Sequence, residues 1–251
     1  MQDEPKEWET QNADLIQELV RANHILATEN VVDSYGHISA RSQTTPERYL
    51  LSCSRSPEQV TAPDIMEFDF AGQPTWNTDR TPYLERFIHG AIYAARSDVH
   101  AIVHSHATSV LPFSVTDRPL RPIMHTAGCI GHTIPKWDIR QQFGHTDMLV
   151  RSNDTAEDLA SALGMQSVVL MRGHGATIVG ADIRRATITA VYLQISASVT
   201  LQALQLGAVE FLSDEEIAEA AKLFKNDSAI GRVWENLARR AVSPHDHSTG
   251  S

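Results

Sequence analysis

The stretch that most constrains this chain is 84–114, LERFIHGAIYAARSDVHAIVHSHATSVLPFS. It places an amphipathic helix before a short apolar strand, and the strand ends in His104-Ser105-His106. Side chains alternate faces along a strand, so His104 and His106 point the same way, about 6–7 Å apart along the chain. Two imidazoles on one face can close on one divalent cation if a third ligand arrives from elsewhere. His174 offers that ligand, in the turn Arg172-Gly173-His174-Gly175-Ala176 between two apolar strands. Glu85, one helix upstream, can fold back over the ion as acid/base or as a fourth ligand. Three histidines that leave a position open to water or substrate make a catalytic arrangement rather than a closed structural one. Mixed histidine and carboxylate ligation fits zinc, manganese, iron or cobalt alike.

The other histidines divide by position. His89 shares a helix with Glu85, four residues on, but borders an apolar stripe and reads as a core histidine. His100 lies about 13 Å back along the strand from His104, too far for the same ion. His24 falls off the stripe of the first helix. His245 and His247 repeat the HxH spacing, but in a Pro/Ser/Gly tail that offers a metal no rigid frame.

A chain of 251 residues with 42% hydrophobic content can bury one large α/β core. Its net charge of −10 argues against a nucleic-acid or anionic-membrane surface. Cys53 and Cys129 give neither a disulfide framework nor a metal spacing, and they fit a reducing compartment. The start has no signal-peptide pattern, and no apolar run approaches the roughly 20 residues of a membrane span. A cytoplasmic location follows as the expectation.

In chain order, residues 1–11 read as a flexible tail, 12–243 as one domain and 244–251 as a second tail. Leu15, Leu19, Ala22 and Leu26 space a first helix over 12–29. Gly36 opens a strand on which His37 and Ser39 share a face, so both are candidates for the site. Strands at 49–52 and 65–70 flank Ser52-Cys53-Ser54-Arg55-Ser56-Pro57, where Ser54 and Arg55 can clamp an anion. Asp79 and Pro82 suit the start of a helix from about 81 to 96. The broken segment 119–135 carries His125 and is placed on the pocket wall. Asp154 and Glu157 have capping-box spacing for a helix to Leu163. Strands at 168–171 and 176–179 form a hairpin. Asp182 caps a long helix that Gly207 ends, and Ser213 with Glu216 opens another. Helices around short, hairpin-linked strands predict a layered α/β/α domain with a mixed, mainly antiparallel sheet.

The order GHIS at 36–39, Glu85, HSH at 104–106 and RGHG at 172–175, followed by a long helix, resembles the class II aldolase/adducin family. The resemblance covers about 12–225. It implies one divalent metal per subunit on His104, His106 and His174, with Glu85 as acid/base or additional ligand. It also implies a cyclic homotetramer with active sites near subunit interfaces. Two positions depart from the family's sugar-phosphate aldolases: His37 stands where Asn is usual, and Ser-Cys-Ser-Arg-Ser-Pro replaces the phosphate-binding Thr-Gly loop. That loop, Trp137-Asp138-Ile139 and Phe143-Gly144-His145-Thr146-Asp147-Met148-Leu149 resemble the family's decarboxylase branch. The resemblance implies a hydroxylated aromatic or heteroaromatic dicarboxylate as substrate, losing CO2. Arg55 would orient a carboxylate, with Ser54, Ser39 and His125 also in contact with substrate. Glu85, a water or His37 would return a proton to the ring carbon. A sugar-phosphate aldolase or dehydratase on the same metal is the alternative, and a non-catalytic scaffold is disfavoured because all four residues are present.

Overall fold

A computed structural model describes residues 7–241; the C-terminal histidines His245 and His247 lie outside the described residues. In order, the helices and strands are α1 Glu7–Gln11, α2 Ala13–Thr28, β1 His37–Arg41, β2 Arg48–Ser52, β3 Ile65–Asp69, α3 Phe87–Ala95, β4 Ala101–Ser105, α4 Leu111–Val115, β5 Lys136–Trp137, α5 Arg140–Phe143, α6 Asn153–Leu163, β6 Val168–Met171, β7 Gly175–Gly180, α7 Ile183–Leu206, α8 Asp214–Ala221 and α9 Asp227–Ala241, with short 3-10 turns between them. The strands form one sheet in the order β3-β2-β1-β4-β7-β6-β5. Every pairing is antiparallel except β5 with β6.

The period-two alternation of the strands makes two cores. Ile38, Ala40, Leu50, Val103 and Ile178 face α2, α7 and α9. Tyr49, Leu51, Phe68, Ile102 and Val169 face α3 and α6. The expected α/β/α layering is therefore present, and parity places His37, Ser39 and His104 on the α3 side. β4 lies mid-sheet, with His104 opposite His37 of β1 on one side and Thr177 of β7 on the other. Helix α7 is long and apolar enough to cross a membrane by composition, but half of its most apolar window is buried. That apolar character is spent on packing against β7, β4 and α2.

Several local expectations shift. Residues 7–11, placed in a flexible tail, form α1. Helix α3 starts at Phe87 rather than near Thr81. The segment before it is zipped to the extension of β2, through a Cys53–Pro82 bridge and a Ser54 N–H to Thr81 C=O bond of 2.7 Å. Only a 3-10 turn, Leu84–Arg86, precedes α3, and Glu85 there has non-helical φ −93° and ψ 17°. Asp79 caps nothing as a result. Helix α6 is capped by Ser152 with Thr155, two residues before the expected box, while Asp182 and Ser213 cap α7 and α8 as their sequence positions suggest. The segment 119–135, expected on the pocket wall, instead packs its 3-10 turn His125–Ile130 on α7 and α8. Helix α9 was not anticipated, although Ile230, Trp234 and Leu237 recur at helical spacing and are buried.

Gly90 fixes how closely α3 sits on the sheet edge. A Cβ there would lie 2.1 Å from the Phe70 carbonyl oxygen, which is backbone and cannot swing aside. Gly90→Ala is therefore expected to cost about 1–3 kcal/mol, the usual range for overpacking. Urea unfolding checks this, and an unchanged midpoint would contradict the close approach.

Candidate metal centre

The turn between β6 and β7 brings the third histidine to the first two. The His174 N–H donates to Met171 C=O at 3.1 Å, and Gly173 takes φ 64°, a conformation that favours glycine. Gly175 then lies against β4 so tightly that a Cβ would sit 2.0 Å from the Ser105 carbonyl oxygen. This packing places His174 beside the end of β4. Glu85 arrives from the opposite direction, on the 3-10 turn before α3.

Four ligand atoms converge, one each from Glu85, His104, His106 and His174, all within 4.8 Å of one another. The His104 Nε2 lies 3.0 Å from His106 Nε2, 3.2 Å from His174 Nε2 and 3.2 Å from Glu85 Oε2. Glu85 Oε2 is also 3.3 Å from His174 Nε2. Outer partners set which nitrogens face inward. His106 Nδ1 donates to Asp33 Oδ1 at 2.9 Å, and His174 Nδ1 donates to the Met148 carbonyl at 3.0 Å. Both rings therefore present an Nε2 lone pair to the centre, the arrangement that supports metal-bound histidines. Met148 adopts φ 70°, uncommon for a residue with a side chain, in giving its carbonyl to His174. Glu85 Oε1 accepts the Val150 N–H at 2.9 Å. His104 Nδ1 is buried and has no partner among the described residues.

Lone pairs from three imidazoles and a carboxylate at such distances have too few protons to satisfy one another, and a divalent cation satisfies all of them. The donor set therefore fits the metal that the sequence resemblance implies. The electrostatics of Glu85 and His106 agree, whereas His174, which burial would lower, is raised because its bond to the Glu85 carboxylate outweighs burial. Burial would raise the Glu85 carboxyl, but His104 and His174 hold it far below the ordinary carboxylate range. Burial, with His104 beside it, pushes His106 down to about 4 and so favours the neutral, ligating ring.

A cavity of about 410 Å³ opens onto this cluster, lined by Tyr35, His37, Ser54, Tyr83, Leu84, Glu85, His106 and Leu149. Not every residue expected at the site reaches it. Ser54 and His37 lie on the wall. Arg55 does not; its Nη1 bonds Asp64 Oδ1 at 3.2 Å, a carboxylate that Thr61 also holds. Ser39 is fully buried behind the wall and bonds His89 and Tyr93. His125 is exposed, on the α8 side of the molecule. His89 sits in the core, His24 bonds the Val60 carbonyl, and His100 stays out of the cluster.

Sequence reasoning missed Asp33, Tyr35, Tyr83, Leu149 and the backbone groups of Met148 and Val150. Asp33 left a signal, because Asp-Ser-Tyr-Gly is a turn sequence and its Oδ1 takes the N–H groups of Tyr35 and Gly36. Backbone donors and acceptors leave none.

Residues 17–201 match the family described as Class II Aldolase and Adducin N-terminal domain. The chain belongs to that family. It is 31% identical over 240 residues to "Decarboxylase tropJ" of Talaromyces stipitatus, covering 86% of this chain and 90% of that protein. It is 28% identical over 213 residues to the 3,4-dihydroxyphthalate decarboxylase of Arthrobacter keyseri, covering 80% of this chain and 84% of that one. Among solved structures, the L-fuculose 1-phosphate aldolase of Glaciozyma antarctica superposes with a TM-score of 0.76 at 21% identity, over 95% of this chain and 93% of that one, which shows the shared fold. These relatives are lyases, and the class II aldolase fold places the His/Glu cluster in a family that uses a divalent metal.

If the four residues hold one ion, His106→Ala removes a ligand whose side chain is 16% exposed and should leave the chain folded. Metal analysis after dialysis is expected to give about one divalent ion per wild-type chain and much less for the variant. Full retention in His106→Ala would take His106 out of the ligand set.

Proposed function

We propose that this protein is a metal-dependent decarboxylase of a hydroxylated aromatic or heteroaromatic (di)carboxylic acid, such as a dihydroxyphthalate. The observation that carries this reading is the character of the cavity beside the ligand cluster. Its wall includes Tyr35, Tyr83, Leu84 and Leu149. Flat apolar surface suits a planar ring. The similarity to two decarboxylases supports the same choice.

The reaction exchanges a carboxylate for a proton. The ortho oxygen pushes electrons into the ring as the carbon bearing the carboxylate takes a proton, giving a dearomatised ketone. The bond from that carbon to the carboxylate then breaks, CO2 leaves, and the electron pair returns to the ortho oxygen and restores the aromatic ring. A divalent ion on His104, His106, His174 and Glu85 supplies Lewis-acid polarisation of substrate oxygens. The chain's own residues do the rest. Tyr83 and Leu149 sandwich the ring, Glu85 passes a proton from a cavity water to the carbon, and His37 holds a substrate oxygen. Water can enter past Tyr35, whose side chain is 73% exposed. Tyr35 and Leu84 leave apolar surface at the rim, which supports the expected homotetramer with a neighbouring chain closing the cavity.

The direct test offers the metal-loaded protein a hydroxylated aromatic dicarboxylate and, separately, a ketose 1-phosphate. CO2 from the first and no aldehyde from the second is the expected result. Aldehyde from the sugar phosphate with no CO2 from the aromatic acid would replace this reading with an aldolase.

Two substitutions divide the residue roles. Glu85→Gln should keep the metal on three histidines and slow turnover by about 10²–10⁴, the scale of a lost proton-transfer group. A variant as fast as wild type removes Glu85 from the chemistry. Arg55 is 43% exposed at its side chain and tied to Asp64, so it acts as a brace of its loop. Arg55→Ala should cost about 0.2–1 kcal/mol of stability and leave kcat/KM within about fivefold. A hundredfold loss in kcat/KM would instead return Arg55 to the substrate, as a charge-assisted contact of about 1.5–3 kcal/mol.

A further inference from the structure

Behind the cavity wall runs a buried chain of four side chains. The Tyr93 hydroxyl lies 2.8 Å from Ser39 Oγ, Ser39 Oγ lies 2.6 Å from His89 Nδ1, and His89 Nε2 lies 2.8 Å from His37 Nδ1. All four residues are at most 1% exposed. No other hydrogen-bond partner is present for the Tyr93 hydroxyl among the described residues.

Hydrogen counting fixes the direction of this chain. Suppose His37 carried its proton on Nδ1. It would donate to His89 Nε2, and His89 would donate from Nδ1 to Ser39. The Ser39 and Tyr93 hydroxyls would then hold two hydrogens but have one acceptor between them, since only one can donate to the other. One O–H would be buried with no acceptor, which folded proteins avoid. In the opposite sense every hydrogen has an acceptor within the chain except the one on His37 Nε2, at the end that meets the cavity. Tyr93 donates to Ser39, Ser39 donates to His89 Nδ1, and His89 Nε2–H donates to His37 Nδ1.

We infer that Tyr93, Ser39 and His89 are positioning residues that lock His37 as its Nε2–H tautomer, making the His37 ring an obligate hydrogen-bond donor to an anionic oxygen of the substrate. With Nδ1 occupied, Nε2 is the nitrogen left for the cavity that His37 lines. The Tyr83 ring, 4.4 Å away between centroids, holds the imidazole from the side. The chain fixes a proton in place and does not conduct one. To pass a proton forward, Tyr93 would have to become a buried phenolate, and burial holds its hydroxyl well above the ordinary tyrosine range. His37 is thereby a specificity element: it accepts a carboxylate or phenolate oxygen and rejects a substrate hydroxyl that needs an acceptor. This rests on the decarboxylase reading for the identity of the oxygen, but the tautomer does not.

The test reads the tautomer without any substrate. Protein labelled with 15N-histidine and loaded with zinc is examined by long-range 1H–15N correlation, with the His37 signals assigned from their absence in His37→Gln. Nε2 should appear protonated and Nδ1 unprotonated. Ser39→Ala breaks the chain and should give a mixture of tautomers with kcat/KM lowered about ten- to a hundredfold, and Ser39→Thr, which keeps the hydroxyl, should restore both. A wild-type His37 protonated on Nδ1 overturns the inference, and so does a Ser39→Ala protein whose His37 tautomer is unchanged. Either result leaves the decarboxylase assay to stand or fall by itself, and an aldolase outcome of that assay leaves the tautomer measurement intact.

Discussion

The structure depends on one electrostatic requirement: three imidazole nitrogens and a carboxylate oxygen are held within 4.8 Å of one another. Side chains so placed repel unless something positive lies between them, so the fold must supply the energy that keeps them there. It does so through strand register. The pairing of His104 with Thr177 and Ser105 with Ala176 decides that the β6–β7 turn ends beside the end of β4. A slip of one residue would turn His104 to the opposite face. The close approach of Gly175 to the Ser105 carbonyl resists that slip.

Groups around the cluster then decide how it behaves. Asp33, the Met148 carbonyl and the Val150 N–H each hold a ligand by the atom that faces away from the centre. They come from a turn before β1 and from the loop that precedes α6, so distant parts of the chain are tied to one point. On the other side of the wall, the α3 residues His89 and Tyr93 meet β1, and the same face of the sheet that builds a core also orients His37. Chemistry and packing share the same layer.

Much of this was legible in the sequence, and the reason is periodicity. Alternation along β4 put His104 and His106 on one face, and the glycines around His174 marked a turn. The long helix α7 announced itself by Asp182 and Gly207. What escaped depended on non-local contacts. Glu85 has helical spacing in the sequence, but the zipped segment before it delays the helix by about six residues and gives Glu85 its own angle of approach. Ser-Arg-Ser carries the donors of an anion clamp, yet Asp64, nine residues on, claims Arg55. Ser39 has the parity of the site but lies too deep, where His89 and Tyr93 take its hydroxyl. His125 stands on a segment whose course only α7 and α8 determine. Helix α9 was readable from Ile230, Trp234 and Leu237, and here the missed signal was local.

The centre of the account is that one divalent ion sits among these four residues. Anomalous diffraction at the zinc edge, from crystals of the zinc-loaded protein, tests it directly. The account predicts one peak per chain, about 2.0–2.1 Å from the Nε2 atoms of His104, His106 and His174, with Glu85 beside it. Ordered crystals with no peak there, or with zinc held by other residues while these histidines bond only to protein, would contradict it.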